Sequence, residues 1–408
     1  MPFTLVAAKN AVCERITRSA DDIWELAQDL FENPEIGKQE YRSARVIATR
    51  LKSLGYRVDM GVAGYDTAFL AEYRGGADRP RVALLAEYDA LPEIGHACGH
   101  NLIAAGAYAA ALGLSALGDQ LPGTAVVIGT PAEETDGAKV VMVDRGVFSE
   151  IDAALMFHPC DETAVRAESL ALDALEVTFS GRTVNPAIAP EKGISALQAA
   201  VQLFVGVNAL SQHLPKDISI HGIIAEGGKA ANVVPDRCVA RFYLRAATRQ
   251  ALDHAVARFR DCVQAASLVS GATFRIAPYE LPFDNIASNP VLERLMEANL
   301  RELGFHEFSP SRLGGSTDMG NVSQVVPAIH AYVAIAEKGT ITHTQEFVHA
   351  VAADRAKQAT IKAGCALAMT CLDLFFSQDL IEDAKSYLPE RALEKTGTKP
   401  QPVRPSSR

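Results

Sequence analysis

No stretch of this chain is apolar enough to cross a membrane. The most apolar one, Leu102 to Leu114, is rich in small residues and falls short of the ~18 apolar residues a span requires. The opening MPFTLVAAKNAVCER lacks a basic start, a long apolar run and a clear cleavage site, so no signal peptide is expected. Basic charge is scarce: 39 Lys and Arg face 49 Asp and Glu, a formal −10, which argues against non-specific binding to nucleic acid. The seven cysteines form no CxxC pair and are odd in number, so a disulfide framework is not expected and a reducing, cytoplasmic setting is. No internal repeat is found. The rest is the composition of an ordinary globular protein, 48% hydrophobic and 22% charged, and 408 residues fit two domains.

Periodicity divides the chain. A first helix is expected from Ser19, with Ile23, Trp24, Leu26, Ala27 and Leu30 on one face, ending at Asn33-Pro34. A second runs from Tyr41 to Leu54. Strands follow at Tyr56–Met60, Thr67–Tyr73 and Arg81–Tyr88, then a helix from His100 to Leu117, a strand Thr124–Thr130, a helix Ala138–Arg145 and a strand Asp152–Phe157. This alternation predicts an α/β layer with helices on both faces of a sheet. From about residue 171 the order becomes βαββαβ, the split-βαβ, ferredoxin-like unit. After Pro282 the α/β pattern resumes with a helix Pro290–Leu303, a strand Val325–Ile335 and one long helix Glu346–Phe376. The expected organisation is a discontinuous catalytic domain, 1–170 and 283–394, with a smaller domain inserted at 171–282. The Pro-rich polar tail 395–408 is expected to be disordered.

Four patches carry chemistry: Glu87-Tyr-Asp89 with His96-Ala-Cys98-Gly-His100; Pro131-Ala-Glu133-Glu134; His158-Pro159; and Thr342-His343. Each is expected where a strand gives way to a loop, and α/β sheets bind ligands at the carboxyl ends of their strands. Cys, His and Glu are donors for zinc or another first-row divalent ion. Two adjacent glutamates allow one to ligate while the other takes a proton from water. Each piece also has a plainer reading: Cys98 as a buried thiol, Glu133-Glu134 as an acidic helix start, and His349 as a helix-surface histidine.

In this order the patches resemble metallopeptidase family twenty, whose members include aminoacylases, aminobenzoyl-glutamate hydrolases and auxin-conjugate hydrolases. The Cys98-Gly-His100 form is similar to its amidohydrolase subfamily. The resemblance covers roughly residues 20 to 375. It implies a zinc-peptidase-like catalytic domain with a mixed central sheet flanked by helices, and an inserted ferredoxin-like α+β lid domain through which homodimers form. It implies Cys98, His100, Glu134, His158 and His343 as ligands of one or two divalent ions (Zn or Mn, with Co or Ni admissible). Glu133 would be the general base. Asp89 would orient the first metal segment, with Glu87 near the site but not bound. In the inserted domain, Asn232 and Arg245 would bind a substrate carboxylate, and Ser316 of the Gly314–Asp318 segment would lie near the substrate. One departure stands out: Asn185 occupies the position where the family has an oxyanion-stabilising histidine.

The expected activity is metal-dependent hydrolysis of a C–N bond in a small carboxylate-bearing substrate, such as an N-acyl amino acid, a dipeptide or aminobenzoyl-glutamate. Asn185 keeps a second possibility open, an aminohydrolase that releases ammonia from an aromatic amine such as 5-nitroanthranilate. A non-catalytic binding protein on the same fold is the alternative of another class. Neither nucleic acid nor membrane is an expected partner.

Overall fold

The computed structural model describes residues 4–389. The tail expected to be disordered lies outside them. The chain divides into two compact units, one made of the described parts of Met1–Ala167, Ala287–Arg312 and Asn321–Arg408, the other of Glu168–Ile286 and Leu313–Gly320.

The larger unit is built on a six-stranded mixed sheet. Its strand order is Arg57–Met60, Phe69–Arg74, Thr124–Gly129, Arg81–Ala86, Ala153–Cys160 and Ala328–Ala334. The last four are mutually parallel, and the first two pair antiparallel. Val82, Ala83, Leu84 and Leu85 are buried on both faces, as a central strand between two helical layers must be. The helix His100–Ser115 is buried from end to end except at Ser115. That suits a helix with no polar face, which has to sit inside the unit. It packs against the helix Asp354–Phe375 so closely that a Cβ on Gly364 would come within 2.6 Å of the Ala109 Cβ.

The smaller unit is an antiparallel four-stranded sheet in the order Thr273–Pro278, Ala171–Ser180, Arg237–Ala246 and Ser219–Glu226. With its helices Ala196–Ser211 and Arg249–Ser270 it has the βαββαβ succession and strand order of a ferredoxin-like unit. Phe242 anchors its core, with ring centroids 4.9 Å from both Phe204 and Phe259.

Three local expectations need correction. A helix Leu5–Arg18 precedes the expected first one; it buries Ala8, Val12 and Ile16, a spacing of four. The strand Ala153–Cys160 runs through His158 and Pro159 instead of ending before them. The expected long C-terminal helix is two, Gln345–Val351 and Asp354–Phe375. Ala353, between them, is extended (ψ 157) and ends the helical hydrogen bonding there. Among the described residues no single helix is long and apolar enough to cross a membrane, and all seven cysteines are free.

Candidate metal centre

Four elements of the larger unit bring one set of donors together. Gly99 sits in the left-handed region at φ 80, and a Cβ there would lie 2.5 Å from the Pro159 Cγ. Glycine therefore allows the chain to turn from Cys98 straight into the helix that His100 opens. Glu133 and Glu134 lie in the turn between the strand Thr124–Gly129 and the helix Ala138–Asp144, so the plainer reading of a helix start does not hold. His158 comes from the strand Ala153–Cys160. His343 lies in a turn ahead of the helix Gln345–Val351, and its amide donates to the Ala97 carbonyl at 2.9 Å. Ala132 (φ 59) and His343 (φ 65) are two non-glycine residues in the left-handed region. Such strain persists only where the surroundings enforce it, and it gathers at functional sites.

The donor atoms fall into three overlapping groups: Cys98, His100 and His158; Cys98, Glu134 and His343; and His100, Glu133 and Glu134. Within each group the ligand atoms lie within 4.8 Å of one another. The Cys98 Sγ is 3.5 Å from the His158 Nε2, and the His343 Nε2 is 2.9 Å from the Glu134 Oε1. The His100 Nε2 is buried without a hydrogen-bond partner. Buried polar atoms are otherwise almost always satisfied, so an orphaned imidazole nitrogen grouped with a thiol and a carboxylate fits a divalent cation. Asp89 holds the set in place: its Oδ1 accepts from the His100 Nδ1 at 2.9 Å, and its Oδ2 accepts the Glu134 amide at 3.0 Å. This contact leaves the Nε2 of His100 as the atom turned to the cluster.

The electrostatics favour a cation. Burial alone would lower the pKa of His100, but Asp89, then Cys98 and Glu87, carry it well above its usual value. Burial and the Glu134 carboxylate push the Cys98 thiol up, a cost that a coordinating cation reverses by stabilising the thiolate. Burial lowers His158 to about 4, keeping it neutral, as a ligand must be. Glu87 is buried, 3.5 Å from the His100 Nε2, and paired with the buried Lys139 at 2.6 Å. Burial opposes its ionisation, yet Lys139 and His100 draw it down to about 2.

His96, beside the patch in sequence, turns away and places its Nε2 3.1 Å from the Leu30 carbonyl. His349 is an exposed helix residue. Asn185, Asn232, Arg245 and Ser316 belong to the smaller unit. Asn185 is exposed, and its Oδ1 accepts the Ala187 amide at 3.0 Å in a local turn. Asn232 is exposed, Ser316 is half-buried, and the Arg245 guanidinium lies 4.8 Å from the Tyr243 ring centroid. Sequence reasoning missed three buried polar residues around the cluster: Lys139, Glu40 and His330. His330 stacks on His158 with centroids 5.2 Å apart, and neither of its ring nitrogens has a partner. The available signal for Lys139 was a lone charge inside the apolar run Ala138–Val143.

Residues 83–368 match Peptidase family M20/M25/M40. The chain is 34% identical over 394 residues to the Xaa-Arg dipeptidase of Mus musculus, covering 92% of this chain and 91% of that protein. It is 28% identical over 453 aligned positions to one of the subunits of the p-aminobenzoyl-glutamate hydrolase of Escherichia coli, covering 91% of each. Among solved structures, a dinuclear metal-binding peptidase of the M20 family from Bacillus subtilis superposes with a TM-score of 0.69 at 19% identity, covering 88% of this chain and 99% of that one. The aminobenzoyl-glutamate utilization protein of Klebsiella pneumoniae does so with a TM-score of 0.66 at 18% identity, covering 87% and 97%. The fold, the donor cluster and these likenesses agree: the chain belongs to peptidase family M20/M25/M40 and is a hydrolase of C–N bonds.

Proposed function

We propose that the chain hydrolyses the amide of a small carboxylate-bearing substrate, a dipeptide, an N-acyl amino acid or an aminobenzoyl-glutamate, with Glu133 as general base. The observation that carries this reading is the cluster itself, with Cys98, His100, Glu134, His158 and His343 as the ligands and Glu133 grouped with His100 and Glu134. A divalent ion there, Zn or Mn first among the candidates, would lower the pKa of a water from 15.7 to about 7. Glu133 takes the proton of the attacking water and returns it to the leaving nitrogen. Asp89 fixes the imidazole of His100 and the backbone of Glu134. Arg245 and Asn232 are the proposed holders of the substrate carboxylate, and Ser316 a further substrate contact; a guanidinium suits this role because it donates two parallel hydrogen bonds.

A second reading, release of ammonia from an aromatic amine such as 5-nitroanthranilate, draws on Asn185. With its side-chain oxygen engaged by Ala187, Asn185 has only its amide NH2 to offer an oxyanion, and it carries no charge. Metal analysis combined with a panel of Ala-Arg, p-aminobenzoyl-glutamate, N-acetyl amino acids and 5-nitroanthranilate separates the two. Release of an amino acid or amine supports the first reading, and release of ammonia alone supports the second. Glu133→Gln is expected to keep its metal and lose nearly all turnover; retained turnover would remove Glu133 from the mechanism.

The proposed assembly is a cytoplasmic homodimer joined through the smaller unit. The strand Ser219–Glu226 is a sheet edge with Ile223 63% exposed, and Val205 on the helix Ala196–Ser211 is 59% exposed. An apolar, unpaired edge favours pairing with another chain.

A further inference from the structure

The turn that carries Glu133 is held by a buried carboxylate that stands outside the donor cluster. Glu40 is fully buried. Its Oε1 accepts the Ala132 amide at 2.8 Å, and its Oε2 accepts the Thr67 hydroxyl at 3.0 Å. Ala132, at φ 59, immediately precedes Glu133, and its carbonyl in turn accepts the amides of Asp136 at 3.0 Å and Gly137 at 2.8 Å. The same turn is gripped at its far end. Tyr65 donates to the Asp136 Oδ2 at 2.6 Å, and Lys38 pairs with the Asp136 Oδ1 at 2.8 Å. The fit around the turn is close: a Cβ on Gly37 would strike the Thr135 hydroxyl and lie 3.1 Å from the Ala132 Cα.

We propose that Glu40 is a positioning residue for the hydrolysis: by holding the Ala132 amide it locks the left-handed turn and so fixes the direction of the Glu133 carboxylate. The inference rests on the reading of Glu133 as general base. An alanine does not adopt positive φ unaided. Without its acceptor, the Ala132 N–H would be buried and unpaired, and the turn would gain by relaxing towards an extended backbone. That relaxation rotates the next peptide, the one that carries Glu133.

The test compares three variants on Ala-Arg and p-aminobenzoyl-glutamate, measuring kcat, KM, metal content and crystal structure. Glu40→Leu removes the acceptor, and Glu40→Asp withdraws it by one methylene. Glu40→Gln keeps an oxygen for Ala132 and turns its NH2 to the Thr67 hydroxyl, which accepts as well as donates. The expected result is a kcat loss on the order of a hundredfold for Leu and Asp, with KM and metal content unchanged, and recovery of most of the rate with Gln. Ala132 is expected to leave positive φ in the Leu variant and to keep it in the Gln variant. A Leu variant with full kcat and a left-handed Ala132 overturns the proposal, as does a Gln variant as slow as the Leu one. If the Leu variant does not fold, the Asp and Gln pair decides by the same criteria. Glu133→Gln, run alongside, separates the two levels of the argument. An active Glu133→Gln sinks the base assignment and the positioning role with it. An inactive Glu133→Gln beside a fully active Glu40→Leu sinks the positioning role alone.

Discussion

Asp89 serves two partners with two oxygens, and that is why its substitution should be read in metal affinity before rate. Asp89→Asn keeps one acceptor but places an NH2 against either the His100 Nδ1 or the Glu134 amide, both of which need an acceptor. Metal affinity is expected to fall about 10- to 100-fold, measured by competition with a chromogenic chelator; unchanged affinity would show that the two contacts do not orient the ligands. Glu87 and Lys139 pose a different problem, since both are buried and each justifies the other. Removing Lys139 leaves Glu87 without its 2.6 Å partner in low dielectric, and breaking a buried pair in this way costs about 3–5 kcal/mol. Lys139→Met should show that loss in urea denaturation, and the double variant Lys139→Met with Glu87→Gln should recover most of it. Glu87 has its folded pKa depressed to about 2 from 4.5. Its contribution is therefore complete above pH 4.5 and disappears as the pH falls through about 2. The donor residues were legible in the sequence because thiol, imidazole and carboxylate types declare their chemistry. Glu40 was not. Between Gln39 and Tyr41 it looks like a solvated charge, and only the turns that bring Thr67 and Ala132 to it make it a buried acceptor.

Elements explain what single residues do not. The helix opened by His100 is apolar all round, so its position depends on how closely its neighbours approach, and Gly106 sets one of those distances. A Cβ there would collide with the Phe157 ring, one residue ahead of His158 on its strand. Gly106→Ala is favourable for helix propensity by about 1 kcal/mol, but overpacking a close-fitted core costs about 1–3 kcal/mol. The expected outcome is a lower melting temperature together with weaker metal binding, because the helix and the strand each carry a proposed ligand. A variant more stable than the parent would mean that the ring moves aside freely. At this scale the sequence was most readable where periodicity was strong, as in Ala20–Glu32 and Tyr41–Ser53. It was least readable where tertiary contacts decide. Nothing local requires the helical ladder to break at Ala352-Ala353, and Pro159 reads as a strand terminator until its place in the strand Ala153–Cys160 is seen. The helix Leu5–Arg18 is a different case. Its spacing of four, Ala8, Val12 and Ile16, is present in the sequence itself.

Across the whole molecule, the buried titratable groups set opposite slopes of stability against pH. His96, held near 4 by burial and by His100, and His330, held near 3 by burial and by His158, are neutral in the folded protein. Each has a depressed folded pKa, so its contribution is complete above pH 6.5 and is lost as the pH falls through 4 or 3. Glu40 works the other way. Burial raises it to about 7, so its contribution is complete below pH 4.5 and is lost as the pH rises through 7. Between pH 4.5 and 6.5 these two histidines, together with His158, which burial holds near 4, therefore oppose one carboxyl, and the protein should become less stable as acid is added. Each group contributes a slope of about 1.4 kcal/mol per pH unit at most. Urea denaturation of chelator-treated protein at pH 6.5 and 4.5 measures the balance without a bound ion competing for protons. His330→Phe removes one of the three histidines and should flatten the acid limb; Glu40→Gln removes the opposing carboxyl and should steepen it. If both variants shifted the limb in the same direction, the buried charges would not control it, and the loss in acid would have to come from the ligand cluster itself.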